Sequence, residues 1–455
     1  MKTNPKVLMV AYVFPPFFSV GGSIRVVKFL KYLPSQGWRP VVLTIDDKKE
    51  TASQRREGSE SMLAEIPAEV EIIRTTSGET SAETLNKGRA LRQKNKLAGA
   101  VINILSKLRQ FVRRFFLIPD VHITWLPHAL KLGRQIIADK QIDVIFATCP
   151  PHSVALIGTL LKKYTGKPLI LDYRDDWIDT PWFRAKPAPQ RWIERMLEKW
   201  AVSAADRVIL VTEFSRDAFI KRYPGMSSEK FVFIPNGCDL SDYPDVSEMK
   251  PERDPDHFTI LHAGIVFEAD TWNRNPRSFF TAIKNICTKY PDIAQRLRVH
   301  FTGQLKPGVA QMVKDMGLAE QISELGYLSR DDLTRQMISA DLLLAINYEG
   351  FSTLIPGKIY EYWAAGHSPI LLLSAMGAAS GLIEQHRLGL TVDFMDVQGI
   401  ENAILEIYRA QETGKPFHIS RDGIERYSRA YLTTQLADVL SNVTGHQIEQ
   451  KTADG

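Results

Sequence analysis

The chain has 455 residues, 44% of them apolar and 24% charged, with a net charge of +5: an ordinary globular composition with material for two sizeable cores. Three scattered cysteines, Cys149, Cys238 and Cys287, form no CxxC pair, which excludes a disulfide framework or a cysteine zinc site and fits a reducing compartment. No run of about eighteen apolar residues is present, so no spanning helix is expected, and the early VLMVAYVF run ends in a proline pair without a cleavage site, so no signal peptide is expected either.

Taken in order, KVLMVAYVF (6–14) is a nearly continuous apolar run, the pattern of a parallel strand buried on both faces. Gly21 and Gly22 follow in a loop before Ser23, an N-cap residue, and IRVVKFLKYL has helical apolar spacing. Such a loop either makes a turn or lets backbone N–H groups approach an anion at the helix start. PVVLTI (40–45) and AEVEIIRT (68–75) predict two further strands, with a polar loop over 46–60 between them. Between Lys87 and Arg114 stand nine Lys and Arg and no acid, leaving the remainder of the chain at −4. Over 97–116 the apolar residues Leu97, Val101, Ile104, Leu105, Leu108, Val112 and Phe115 share one helical face and the basic residues the other. That pattern fits a helix packed on the core with a solvated basic face, or one lying on an anionic membrane surface. No recognisable nucleic-acid-binding motif accompanies it, and no nucleic-acid partner is expected.

IDVIFAT (142–148) predicts a strand whose carboxyl end leads to His152, which is either a structural histidine or one facing a cleft. PLILDY (168–173) predicts the next, with Arg174, Asp175, Asp176 and Trp177 at its carboxyl edge. After further helix–strand alternation, the Pro- and charge-rich 241–257 reads as a linker. TILHAGI (259–265) opens a second series of strands, ending at Gly264, with Arg274 in the loop beyond. ADLLLAI (340–346) predicts another buried strand, then a Gly- and Pro-marked loop and a helix opening on Lys358-Ile-Tyr-Glu361. Open α/β sheets bind ligands at the carboxyl ends of their strands. A lysine there can neutralise a phosphate and a glutamate one turn on can take two ribose hydroxyls; alone, the pair could equally be an exposed i,i+3 ion pair. The expected boundaries are a domain over 1–240, the linker over 241–257, a second domain over 258–425, a C-terminal helix over 426–443 and a disordered tail over 444–455.

The ordered set GGSIRVVKFLKYL, IPNGCD, HAGI with a downstream arginine, LGYLSRDDL, ISADLLLAI and PGKIYEYWAAGHSPI resembles the family 4 retaining glycosyltransferases of the GT-B fold, over nearly the whole chain. PPHS, DYRDDW and PGKIYEY look closest to bacterial enzymes of surface polysaccharide synthesis. The resemblance implies two Rossmann-like domains facing across a cleft, with a C-terminal helix crossing back to the first. It implies transfer of a hexosyl group from a nucleotide diphosphate sugar, UDP-linked by preference, to a lipid-linked or glycan acceptor. Arg274 and Lys358 would contact the diphosphate and carry the catalysis, Glu361 the ribose, and the loop at Tyr327 the base. Gly21, Gly22 and Gly264 would line the donor, and His152, Arg174 and Asp175 would serve the sugar or acceptor.

The run Asp175, Asp176, Asp179 is similar to the DxD motif that holds Mn²⁺ in another glycosyltransferase class, yet no metal and no cofactor are expected here. The expected location is cytoplasmic, peripheral on the inner membrane face. Two positions depart from the pattern: many relatives have a second glutamate where this chain has Thr353, and a His-Asp pair where it has Arg174-Asp175. A GT-B nucleotide-sugar 2-epimerase and an inactive homologue serving as an assembly partner are the alternative readings.

Overall fold

A computed structural model describes residues 4–16, 20–46, 59–76, 117–243, 249–264, 266, 276–347, 352–417 and 419–446. The basic segment 97–116 and Arg274 therefore lie outside the described residues, as does most of the 444–455 tail. The chain divides into two compact units, Met1–Asn236 with Arg429–Gly455, and Gly237–Ser428.

In the first unit, β1 (Lys6–Ala11), β2 (Arg39–Ile45), β3 (Glu71–Thr75), β4 (Val144–Cys149), β5 (Leu169–Tyr173), β6 (Arg207–Leu210) and β7 (Phe231–Phe233) form one parallel sheet in the order 3-2-1-4-5-6-7. Its central strands are apolar without alternation because both faces are covered. Leu8 and Val10 of β1 point into a core shared with α2 (Leu126–Lys140), α3 (Ser153–Thr165), α4 (Ala188–Ala204) and α5 (Glu213–Arg222). Val7 and Met9 point the other way, into a core with α1 (Val20–Tyr32).

In the second unit, β8 (Phe258–Ala263), β9 (Leu297–Thr302), β10 (Ile322–Gly326), β11 (Leu342–Ile346), β12 (Ile370–Leu373) and β13 (Gly389–Val392) are parallel in the order 10-9-8-11-12-13. The helices α6 (Arg277–Lys289), α7 (Arg330–Ser339), α8 (Gly357–Ala365) and α9 (Val397–Glu412) cover its faces. The last helix, α10 (Arg429–Thr444), returns to the first unit, where Leu432, Leu436 and Leu440 join the core beneath α1.

Three local expectations are corrected. The first strand ends at Ala11, not Phe14. The first helix begins at Val20, so Gly21 and Gly22 stand inside its first turn and Ser23 does not cap it; Ser23 is buried, its hydroxyl facing inward. The first N–H groups of a helix have no intrahelical partner, so the two glycines still stand where backbone donors face out of a helix start. A short helix, Ser59–Ala64, occupies the end of the stretch expected to be loop up to residue 60.

Candidate functional site

Each sheet reverses its strand order once, between β1 and β4 and between β8 and β11. The carboxyl ends flanking such a reversal splay the connecting loops apart and leave a crevice. The described candidate residues, apart from Tyr327, fall at or beside these two places.

At the β8/β11 reversal, β8 delivers His262, Ala263 and Gly264, and β11 delivers α8 through the loop that ends at Pro356. Lys358 lies in the first turn of α8, its Nζ 3.0 Å from His262 Nε2. His262 Nδ1 is 2.9 Å from the Leu344 carbonyl, and the ring is 2% exposed. A carbonyl only accepts and an ammonium only donates. Nδ1 therefore carries the ring proton, Nε2 accepts from Lys358, and the neutral imidazole aims the ammonium. Gly264 has φ 123°, and a Cβ there would sit 3.3 Å from Lys358 Nζ. Glycine is required by the backbone and by the closeness of the ammonium.

The helix itself is fixed. Tyr362 Oη accepts from Ala263 N at 2.8 Å and donates to the Leu344 carbonyl at 3.1 Å, and Trp363 Nε1 donates to the Ser420 carbonyl at 3.0 Å. Asn347, 1% exposed at the end of β11, donates to the Leu354 carbonyl and to Ser374 Oγ, shaping the loop that leads to Lys358. Glu361 follows one turn after Lys358 and lies close enough to the buried Tyr243 phenol to add to the upward push that burial gives it. Tyr327, beyond β10, is 56% exposed. The place thus combines a cation, helix-start N–H groups and a side-chain-free strand end, the requirements for a bound diphosphate. A G264A chain is expected to bind nucleoside diphosphates about tenfold more weakly, since the methyl group moves the ammonium as well as straining the backbone; titration calorimetry would measure it.

At the β1/β4 reversal, Arg174 is committed to backbone. Its guanidinium donates to the carbonyls of Cys149 at 3.2 Å, Pro150 at 2.5 Å and Gly22. It joins the first turn of α1 to the ends of β4 and β5. Beneath it lies a buried ion pair: Arg25 donates to Asp172 at 2.9 and 3.2 Å and to the carbonyls of Ile234 and Pro235, while Thr148 Oγ1 donates to Asp172 at 2.8 Å. Asp175, next along, makes no hydrogen bond or ion pair among the described residues. Its pKa is raised, by burial first and by Asp176 in addition, against the lowering effect of Arg174. Asp176 accepts from Ser215 Oγ at 2.8 Å.

His152 precedes α3, its ring stacked on Trp177 with centroids 4.9 Å apart and planes 5° apart. Its Nδ1 is buried without a hydrogen-bond partner among the described residues. Burial, then the charges of Lys186 and Arg174, lower its pKa to about 3. The ring is neutral at physiological pH and is not an acid catalyst there. Because its folded pKa lies below the unfolded value of about 6.5, the unfolded chain takes up more protons as pH falls. Stability from this group is complete above pH ~6.5 and declines below it, by up to about 2 kcal/mol at pH 5. Urea unfolding of wild type and H152Q at both pH values should show the extra acid sensitivity only in wild type.

The sequence singled out Gly21, Gly22, Gly264, His152, Arg174, Asp175, Lys358 and Glu361, and all stand at strand ends or helix starts around the two reversals. It passed over His262, although HAGI held it in view, and it passed over Arg25 and Asp172. The signal for the last pair was present: an aspartate within the apolar strand LILDY needs a buried partner.

Two sheets of this order define an α/β protein of the GT-B fold, and solved structures of that fold match along the whole chain. HepE of Anabaena, solved in complex with UDP, superposes with a TM-score of 0.62 at 16% identity, over 96% of this chain and 100% of that one. Sucrose-phosphate synthase of Thermosynechococcus elongatus gives 0.65 at 14%, over 97% and 99%. WaaG, a glycosyltransferase involved in lipopolysaccharide biosynthesis, gives 0.59 at 13%, over 97% and 100%. At these identities the likeness speaks for the fold. No curated protein matches the chain in sequence. Residues 20–237 match the family model of the glycosyl transferase 4-like domain. Residues 20–237 thus resemble a glycosyl transferase 4-like domain, and the fold of the chain is of the GT-B type.

Proposed function

We propose that the chain transfers a hexosyl group, with retention and without a metal ion, from a nucleoside diphosphate sugar to a lipid-linked or glycan acceptor of a surface polysaccharide. The observation that carries the donor half is the Lys358 ammonium, held by neutral His262 against the bare strand end at Gly264 and at the start of α8. As the sugar–phosphate bond breaks, negative charge grows on the diphosphate, and a fixed cation with backbone N–H groups stabilises that charge more than the ground state. Arg274 is proposed as the second cation, Glu361 as the acceptor of ribose hydroxyls and Tyr327 as a contact to the base, with uridine preferred.

On the first unit, Gly21 and Gly22 offer backbone N–H groups to the donor. Asp175, which makes no hydrogen bond or ion pair among the described residues, takes a hydroxyl of the acceptor or sugar. His152, stacked on Trp177, serves the same acceptor or sugar as a neutral ring. Arg174 holds the loops that place these groups, through its three carbonyl contacts. The acceptor hydroxyl loses its proton to a leaving diphosphate oxygen, so no protein base is needed. The reaction is placed in the cytoplasm, on the inner membrane face, with segment 97–116 as one anchor. Among the described residues, no helix is long and apolar enough to cross a membrane.

The test is a thermal-shift series with UDP, GDP, ADP and CMP, with and without EDTA. A ligand at about 100 times its dissociation constant adds roughly 2.7 kcal/mol of stability. A shift with one diphosphate, unchanged by EDTA, is expected. Absence of any shift would remove the donor assignment and leave the inactive-partner reading.

A further inference from the structure

Helix α4 is turned inside out. Its two acids, Glu194 and Glu198, are fully buried, whereas Trp192, Met196 and Trp200 are 62%, 54% and 39% exposed. The buried acids are satisfied. Glu194 accepts from Trp177 Nε1 at 3.0 Å, Lys186 Nζ at 2.7 and 2.8 Å, and Gln190 Nε2 at 3.0 Å. Glu198 accepts from the Arg222 guanidinium at 3.0 Å and from Tyr223 Oη at 2.9 Å. These contacts fix which face of the helix turns outward.

On that outward face, Trp192, Met196 and Trp200 follow one another at intervals of four and form a single ridge. Arg195 and Lys199, both exposed, run along one flank of the ridge, and Ile193 widens it on the other. The preceding turn, Pro181–Arg184, adds Trp182 at 40% exposure and the exposed Arg184. Both acids of α4 face inward, so the outward face carries no acid; beside its positive and apolar groups stands the exposed Ser203 near the end of the helix.

Leaving three large apolar side chains in water while burying two carboxylates is the reverse of what solvent favours. A ridge of this kind has a physical use where it meets an apolar phase edged with negative charge. Tryptophan prefers the headgroup level of a bilayer, where its ring is buried and its N–H stays wet. Arginine and lysine lie along the apolar surface while their charged ends reach lipid phosphates.

We propose that the outward face of α4, with Trp182, docks the first unit on an anionic membrane surface. The proposal uses none of the residues of segment 97–116 and does not depend on which sugar or nucleotide the enzyme uses. It also lies close to the β4/β5 edge, because the Trp177 ring that stacks on His152 donates to Glu194 of the docking helix. A membrane-bound acceptor would thus be met by the same end of the sheet.

The test is co-sedimentation of the full chain with vesicles of phosphatidylcholine alone or with phosphatidylglycerol added. Wild type is compared with W192S/M196S/W200S and with R195Q/K199Q. Wild type should bind the anionic vesicles, more weakly at high salt, and each variant should lose about tenfold or more in partitioning. Four of the five side chains contact no buried partner by hydrogen bond or ion pair among the described residues, and Arg195 loses only its stacking on Phe183, so both variants should stay folded with the wild-type nucleotide response, which separates this result from the fate of the donor site. Wild-type-like vesicle binding by both variants would overturn the proposal, as would absence of binding by wild type. A change of oligomeric state in the apolar variant with vesicle binding intact would do so too, assigning the ridge to a second copy.

Discussion

K358A should bind nucleoside diphosphates between about tenfold and a hundredfold more weakly than wild type, and should lose more in kcat than in affinity. A hydrogen bond to a charged group contributes about 1.5–3 kcal/mol, which sets the range for binding. The larger loss in turnover follows because the diphosphate gains charge as it leaves, so the missing cation is missed most in the transition state. K358R should not restore the wild type. The ammonium occupies a tight place between His262 Nε2 at 3.0 Å and the strand end at Gly264, and a planar guanidinium is larger and differently shaped. H262Q should have a smaller effect, a few fold, since it loosens the ammonium without removing it. Calorimetry with UDP and steady-state rates on the same variants would separate these outcomes. Equal affinity in K358A and wild type would remove Lys358 from the diphosphate site.

Much of the fold was legible because its central strands are covered on both faces. KVLMVA, VIFATC and LLLAI admit little besides buried parallel strands, and each places a Gly, His or Lys at its carboxyl side by simple counting. The sheet order then brings together residues far apart in the chain, such as Gly264 and Lys358, and sequence spacing alone does not show that meeting. Helix starts were read less well. Ser23 has the chemistry of a cap, but the helix had already begun at Val20, and burial of the Ser23 side chain in the sheet-facing turn outweighed its capping preference. The inverted face of α4 was hidden for a related reason. A tryptophan stripe at helical spacing usually marks a core, and only the buried partners of Glu194 and Glu198 show that here it faces solvent. Arg174, likewise, looked like a ligand group in a DYRDDW string, whereas its guanidinium is bound to three carbonyls of its own unit.

The largest effect on stability is expected at Asp172. The Arg25–Asp172 pair is sealed, at 1% and 0% side-chain exposure, and D172A would leave a guanidinium in the core without a counter-ion. Removing one partner of such a pair costs about 3–5 kcal/mol. Arg25 keeps the carbonyls of Ile234 and Pro235, which places the expected loss towards the lower end. Replacing both partners with apolar residues of similar size, R25M/D172L, should be far milder, because no charge is then stranded. Stability and chemistry part company at this point. Arg25 lies in α1 one turn after Gly22, and Asp172 lies two residues before Arg174, so the pair holds the turn of α1 against the ends of β4 and β5. R25M/D172L should therefore unfold in urea near the wild-type midpoint and yet turn over more slowly, with nucleotide affinity largely retained, since the Lys358 site belongs to the other unit and only the Gly21 and Gly22 contacts would loosen. Slower turnover with retained stability and retained UDP binding would identify the pair as a positioning element of the first unit. A double variant as active as wild type would restrict it to holding the core together.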